Sequence, residues 1–191
     1  MSHADCAIRR AAKHEVPEIE ALCVAAYEQY RDAIPPPIFG AYMEDFRNLS
    51  SRWDDAQFLV AEIDGRIAGS ALLYADASSE GSGLPKGWAG FRKLAVHPSW
   101  RGRGVGRKIS EKCVQMARWI GAPAVGVHTA AFMEAACNIY EQMGFRRCPE
   151  HDLRVSEILG IDDTVGDVRL IAYRLDLAWA LVSAHSKFNV L

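Results

Sequence analysis

Arg101, Gly102, Arg103, Gly104, Val105 and Gly106 form one unbroken run, directly after Leu94, Ala95, Val96 and Pro98 and just before a helical pattern that starts near Lys108. A strand that hands over to a helix through glycines exposes backbone N–H groups that can converge on phosphate oxygens. Without β-carbons at three of these positions a ligand can approach closely, and Arg101, Arg103 and Arg107 bring positive charge. Tight packing or a bulge can also require such glycines, so on this run alone a phosphate cradle and a packing turn stand level. The Lys-Ser/Thr end of a nucleotide P-loop is missing, as is the acidic ribose-reading residue of a dinucleotide site, which counts against ATP and NAD.

Tyr140 and His128 are the other residues suited to proton transfer. The Tyr140 phenol is a donor at neutral pH, although its position beside Ile139 and Met143 on an apolar helix face also suits a core tyrosine with a satisfied hydroxyl. His128 ends an apolar strand, and a neutral imidazole there can accept a proton near neutral pH. Asp76, Glu80, His97 and Glu134 are further candidate bases, with His97 better placed to shape the turn before Pro98. The five cysteines are scattered and contain no CxxC pair, which reads as reduced, buried thiols in a cytoplasmic protein with no metal site. Cys148 with His151 is a chance pair on this reading, and neither Cys137 nor Cys148 has the His and acid partners of an activated nucleophile.

The elements that must position these groups follow from periodicity and turn chemistry. Residues 7–11 read as a short strand and 16–30 as a helix with Ile19, Leu22, Cys23, Ala26 and Tyr27 on one face. Pro35, Pro36 and Pro37 are expected to break it, with a second helix from near Ile38. The connecting turn holds Tyr30, Arg31, Phe39 and Tyr42, which suit an acceptor pocket or plain aromatic packing. Apolar runs at 57–63 and 66–74 flank Asp64-Gly65, a hairpin signal, and 75–86 reads as a solvent-facing loop. Strands follow at 88–96, at 124–129 and near 168–175. Helices begin after the glycine turn and around Ala135, the latter closed by Gly144 with Phe145 on a next strand. The polar connection at 152–167 allows a short helix or a packed loop.

Half of the 191 residues are hydrophobic and 24% are charged, enough for one substantial core, so a single domain over 1–191 is expected, with a core at about 6–175 and an extension at 176–191. A formal net charge of -2 offers no general attraction to nucleic acid or anionic membrane. No signal peptide and no membrane span is legible, and a cytoplasmic location is expected.

In order, Leu94, Ala95, Val96, His97, Pro98, then Arg101, Gly104 and Gly106, then Tyr140, Gly144 and Phe145 resemble the GCN5-related N-acetyltransferase (GNAT) family, over about residues 8–175. The resemblance implies an α/β fold with a mixed, mostly antiparallel central sheet flanked by helices. Two central strands splay apart in that fold, and the one ending near Val96 carries a bulge. It also implies acetyl-CoA as cosubstrate, its pyrophosphate held by the turn from Arg101 to Gly106 with Arg107, and its pantetheine arm lying along Leu94, Ala95 and Val96 almost as an added strand. Tyr140 matches the family residue that protonates the departing CoA thiolate. The implied reaction is direct attack of a primary amine on the thioester in a ternary complex, with backbone N–H groups near Leu94 polarising the carbonyl; the base stays open among His128, Asp76, Glu80, His97 and Glu134. A CoA-binding regulatory module that has lost turnover is the alternative.

One departure is Met133, where relatives often carry asparagine seven residues before this tyrosine; Asn138 is out of register and does not inherit that role. The acceptor is expected to be a small-molecule amine or a peptide. Asp32, Glu44, Asp45, Asp76 and Glu80 offer negative charge to a cationic one, though solvation also accounts for each of them. The late strands and the apolar stretch 177–182 are expected either to meet a second copy in a homodimer or to fold over their own sheet.

Overall fold

A computed structural model describes residues 6–79, 82–160 and 166–177. The chain opens with β1 (Ala7–Arg10), whose Arg9 bonds both Glu15 and Glu62. α1 (Val16–Tyr27) carries Pro17 in its first turn, where a missing N–H costs nothing, and buries Ile19, Leu22, Cys23 and Ala26. It stops three residues short of the expected end because 28–33 tighten into 3-10 turns.

α2 (Pro36–Phe46) corrects the sequence reading more sharply. It starts inside the proline run rather than at Ile38, since the first helical residues donate no intrahelical bond and tolerate proline. β2 (Gln57–Ile63) and β3 (Arg66–Tyr74) form the expected hairpin, with Asp64 and Gly65 at φ 52° and 70°, the paired left-handed conformation of a tight two-residue turn.

β4 (Ala89–Val96), α3 (Val105–Trp119), β5 (Ala124–Ala130) and α4 (Glu134–Gln142) supply the site. Next come β6 (Arg146–Arg147), β7 (Leu153–Arg154), the one-turn α5 (Val155–Leu159) and β8 (Arg169–Asp176). The polar connection expected at 152–167 is thus partly strand and partly helix. It is tied down by the Asp152 carboxylate, which accepts from the Arg147 and Arg169 side chains and from the Ala172 N–H.

The strand order is β1-β2-β3-β4-β5-β8-β6, with β7 also on β8. Among the described residues only β4 and β5 pair parallel, so the sheet is mixed and mostly antiparallel, as expected. Each face is buried. Phe58 and Val60 of β2 pack with α1 and α2, while Leu59 and Ala61 join Ile109, Cys113 and Ala117 of α3 on the other face. Burial on both sides explains why β2 and β3 read as continuous apolar runs rather than alternating ones. All five cysteines are free thiols. No helix among the described residues is long and apolar enough to cross a membrane. Of the apolar stretch 177–182, residues 178–182 lie outside the described residues.

Candidate active site

β4 and β5 pair only at Ala89–Val125 and Gly90–Gly126. Beyond that point β4 stays hydrogen-bonded to β3 and β5 to β8, so the two strands diverge and, among the described residues, Phe91–Val96 has no strand partner on the β5 side. A bulge accompanies the divergence. Ser70 faces Ala95 and Leu72 faces Arg92, which leaves one extra residue on β4, and Lys93 adopts φ 55°. A cavity of about 450 Å³ fills the opening, within the size range of small-molecule sites. It runs from the glycine turn past Leu94, Ala95 and Val96 to Tyr140, His128 and Thr129.

At one end of this cavity lies the turn that the sequence singled out. Gly102 and Gly104 sit at φ 73° and 75°, Gly104 being the N-cap of α3, and no atom of the described residues lies within 4 Å of where a β-carbon would stand on either. The α3 N-terminus, with its unpaired N–H groups and positive dipole end, therefore faces an open cradle. Gly106 lies in the helix itself, where a β-carbon would come within 3.3 Å of Ile139 and 3.5 Å of Val96. Val105 is buried in the core beneath.

The three arginines are already engaged. Arg101 donates to the Ala26 carbonyl of α1 at 2.8 Å, Arg103 lies 4.8 Å over the Trp100 ring, and Arg107 bonds Glu111 at 2.8 Å and Gln142 at 3.1 Å. Arg101 thus links the turn to the α1 C-terminus across 75 residues of sequence. Arg101→Met is expected to lower stability by about 1 kcal/mol, the scale of a partly exposed charge-assisted hydrogen bond. Thermal melting alongside acetyl-CoA titration checks this: a lower Tm with unchanged affinity is expected, and the reverse pattern would give the guanidinium to the ligand.

At the other end is Tyr140, 3% exposed, its ring against Phe91, Phe145 and Tyr173 at 5.8, 5.5 and 6.0 Å. Among the described residues its hydroxyl has no hydrogen-bond partner, and burial pushes the phenol above its ordinary value near 10. A core tyrosine would have its hydroxyl satisfied. The family model described as "Acetyltransferase (GNAT) family" matches residues 13–145, which takes in this turn, the splay and Tyr140. The chain belongs to the GNAT acetyltransferase family.

Solved GNAT structures agree in fold. A GCN5-related N-acetyltransferase from Rhodopseudomonas palustris superposes with a TM-score of 0.68 at 19% identity, over 93% of this chain and 99% of its own. The yncA protein of Salmonella typhimurium, solved with its cofactor acetyl-CoA, gives 0.64 at 18% identity over 92% and 96%. Among curated relatives, the probable N-acetyltransferase camello of Xenopus tropicalis is 28% identical over 124 residues, 57% of this chain and 53% of the relative. The chain spans about half the length of that relative.

Within this GNAT frame, His128 donates from Nε2 to the His151 carbonyl at 2.8 Å, so Nδ1 keeps its lone pair. Burial pulls its pKa below the ordinary 6.5, and the ring is neutral at pH 7. Met133 is the N-cap of α4 and places a thioether in the cavity wall without capping the helix. His151 also belongs to a local group in which Cys148, Glu150 and His151 bring ligand atoms within 4.8 Å of one another. The Cys148 thiol is pushed up to about 11 by burial and by its bond to Glu150.

The acidic residues suggested for a cationic acceptor do not come together. Among the described residues no Asp or Glu lines the cavity, whereas Arg92, Lys93, Arg101 and Arg107 do. Asp45 is occupied by Lys93 and by Arg52, Asp76 accepts from the Ser78 N–H and hydroxyl of its own loop, and Glu80 lies outside the described residues.

Lys93 was missed from sequence. Its ammonium pairs with Asp45 and lies 4.8 Å over Phe46, and burial pulls its pKa down to about 8. The signal was the charged pair Arg92-Lys93 inside an otherwise apolar strand, which a regular two-sided buried strand does not accommodate. Thr129, buried in the cavity wall, was missed as well.

Proposed function

We propose that this GNAT domain transfers an acetyl group from acetyl-CoA to a primary amine by direct attack in a ternary complex. The observation that carries the reading is one continuous cavity joining the glycine cradle at the α3 N-terminus to the Tyr140 hydroxyl, which has no partner among the described residues, along the edge of β4 that faces away from β3. The residues suit acetyl-CoA. N–H groups of 102–106 can take the pyrophosphate, and the edge of β4 beyond Gly90 can pair with the pantetheine amides as an added strand.

Acetyl-CoA supplies the activated thioester. His128 takes the proton that the amine loses as its nitrogen bonds the carbonyl carbon, directly or through a water. Tyr140 gives its hydroxyl proton to sulfur as the C–S bond breaks. A neutral His128 and a protonated Tyr140 are the states these roles require, and both pKa shifts favour them. The acceptor is a small-molecule or peptide amine, and a basic cavity wall disfavours a polycation. Five free thiols fit a reducing, cytoplasmic setting.

Release of CoA thiol from acetyl-CoA, measured against amino acids, arylalkylamines, polyamines and peptides, tests the reading. Amine-dependent release supports transfer, and acetyl-CoA binding with no release would leave a CoA-binding module instead. The base assignment makes a separate prediction. Since His128 must be neutral to act, kcat/KM should rise with pH through a pKa below 6.5 and then level off. His128→Gln should remove that acid limb and lower the plateau by roughly 10²-fold, the low end for general-base catalysis; an unchanged pH profile in the variant would reassign the base.

A further inference from the structure

Cys148, Pro149, Glu150 and His151 place a thiol, a carboxyl and an imidazole on consecutive residues, and the sequence alone reads Cys148 with His151 as a chance pair. Local structure argues the other way. Pro149 opens a 3-10 turn over Pro149–His151 with Cys148 as its N-cap, and the His151 N–H donates to the Cys148 carbonyl at 3.0 Å. Residues three apart stack above one another in such a turn, which brings thiol and imidazole to one side. Glu150 completes the group: one ligand atom from each of the three side chains lies within 4.8 Å of the others.

That spacing is close to what a metal ion needs. A tetrahedral zinc ion, with Zn–S about 2.3 Å and Zn–N or Zn–O about 2.0–2.2 Å, holds its ligand atoms roughly 3.5 Å apart, so a movement of about 1 Å closes the set. The Glu150 carboxylate bonds the Cys148 thiol itself, and neither ring nitrogen of His151 has a hydrogen-bond partner among the described residues. The His151 ring is braced by Trp88, edge-on at 5.5 Å. Cys148 is buried, His151 half-buried and Glu150 exposed, which gives an ion a path from solvent to a sheltered sulfur. Arg147 and Arg174 stand nearby, but each is paired, with Asp152 and Asp176 respectively.

We propose that Cys148, Glu150 and His151 form a site for a zinc-class cation, with water in the fourth position. On binding, sulfur gives its proton to solvent and bonds the metal. Donor chemistry sets the class: thiolate and imidazole suit Zn²⁺, whereas Mg²⁺ and Ca²⁺ take oxygen ligands. The ion clamps the start of the turn to its end. The His151 carbonyl accepts from His128 Nε2 at 2.8 Å, so the clamped turn is the one that supports the candidate base. The site stands whether or not the chain transfers acetyl groups.

Titrating the full chain, tag-free, reduced and stripped with EDTA, with Zn²⁺ and with Co²⁺ tests this. About one equivalent of Zn²⁺ should bind and raise Tm by several degrees at saturation, since a ligand held only by the folded state stabilises it. Co²⁺ should give an intense thiolate-to-metal charge-transfer band, and Mg²⁺ and Ca²⁺ should give neither effect. Cys148→Ala should abolish the band. His151→Gln and Glu150→Gln should each weaken Zn²⁺ binding by more than the roughly 10-fold typical of losing an outer-shell partner. Because these two side chains are not buried, their variants report on the site even where the loss of Cys148 lowers stability. A parent that binds no Zn²⁺ overturns the proposal. A charge-transfer band that persists in Cys148→Ala also overturns it, since the ion would then sit on another thiol, as does unchanged Zn²⁺ affinity in both His151→Gln and Glu150→Gln.

Discussion

Tyr140→Phe is expected to lower kcat by roughly 10²- to 10³-fold, within the span typical of a lost general acid, with little change in acetyl-CoA affinity or in stability. The separation follows from the environment of the hydroxyl. Ring packing against Phe91, Phe145 and Tyr173 is retained by phenylalanine, and the hydroxyl makes no bond among the described residues that the substitution would break. Burial that raises the phenol pKa keeps Tyr140 in the protonated form that a donor to sulfur requires. A tyrosine serving only the core would show the opposite pattern, with Tm falling and kcat intact. Thiol-release kinetics and a melting curve on the same preparation decide between them.

Gly104→Val is expected to raise the acetyl-CoA Kd about 10-fold or more. At φ 75° a β-branched residue is a steric outlier, and the left-handed conformation costs an L-residue roughly 1–2 kcal/mol. If that strain is relieved by moving the turn, the N–H groups of 102–106 no longer converge; since 1.4 kcal/mol is a factor of ten, affinity falls on that scale. Among the described residues no atom lies within 4 Å of the new β-carbon, so the β-carbon itself meets no clash and the backbone conformation is the cause. Gly104→Asn separates conformation from bulk, because asparagine visits the left-handed region readily; it should retain more affinity than valine. Equal affinity in all three proteins, measured by calorimetric titration, would show that the turn does not hold the cofactor.

Much of the fold was legible because it is local. Two consecutive left-handed residues at Asp64-Gly65 are a property of that dipeptide, and the apolar spacing of Ile19, Leu22, Cys23 and Ala26 is a property of a 3.6-residue period. The same holds for the cradle, where glycines at 102 and 104 announce positive φ before a helix. Boundaries were less legible where two local rules compete: proline ends one helix and opens the next, and only the observed start of α2 at Pro36 shows which rule prevailed.

What the residues determined unaided was the family, the hairpin, the glycine turn and the phenol at 140. Tertiary structure decided what each side chain near the turn actually meets. Arg101 reaches across 75 residues to an α1 carbonyl, His128 donates to a carbonyl 23 residues on, and Asp45 closes on Lys93 rather than waiting for a cationic acceptor. The Lys93 bulge and the end of the β4–β5 ladder after Gly90 likewise belong to no single segment. Backbone conformation is set by torsional preferences of near neighbours. Hydrogen-bond satisfaction and burial depend on which distant strands and helices arrive beside them.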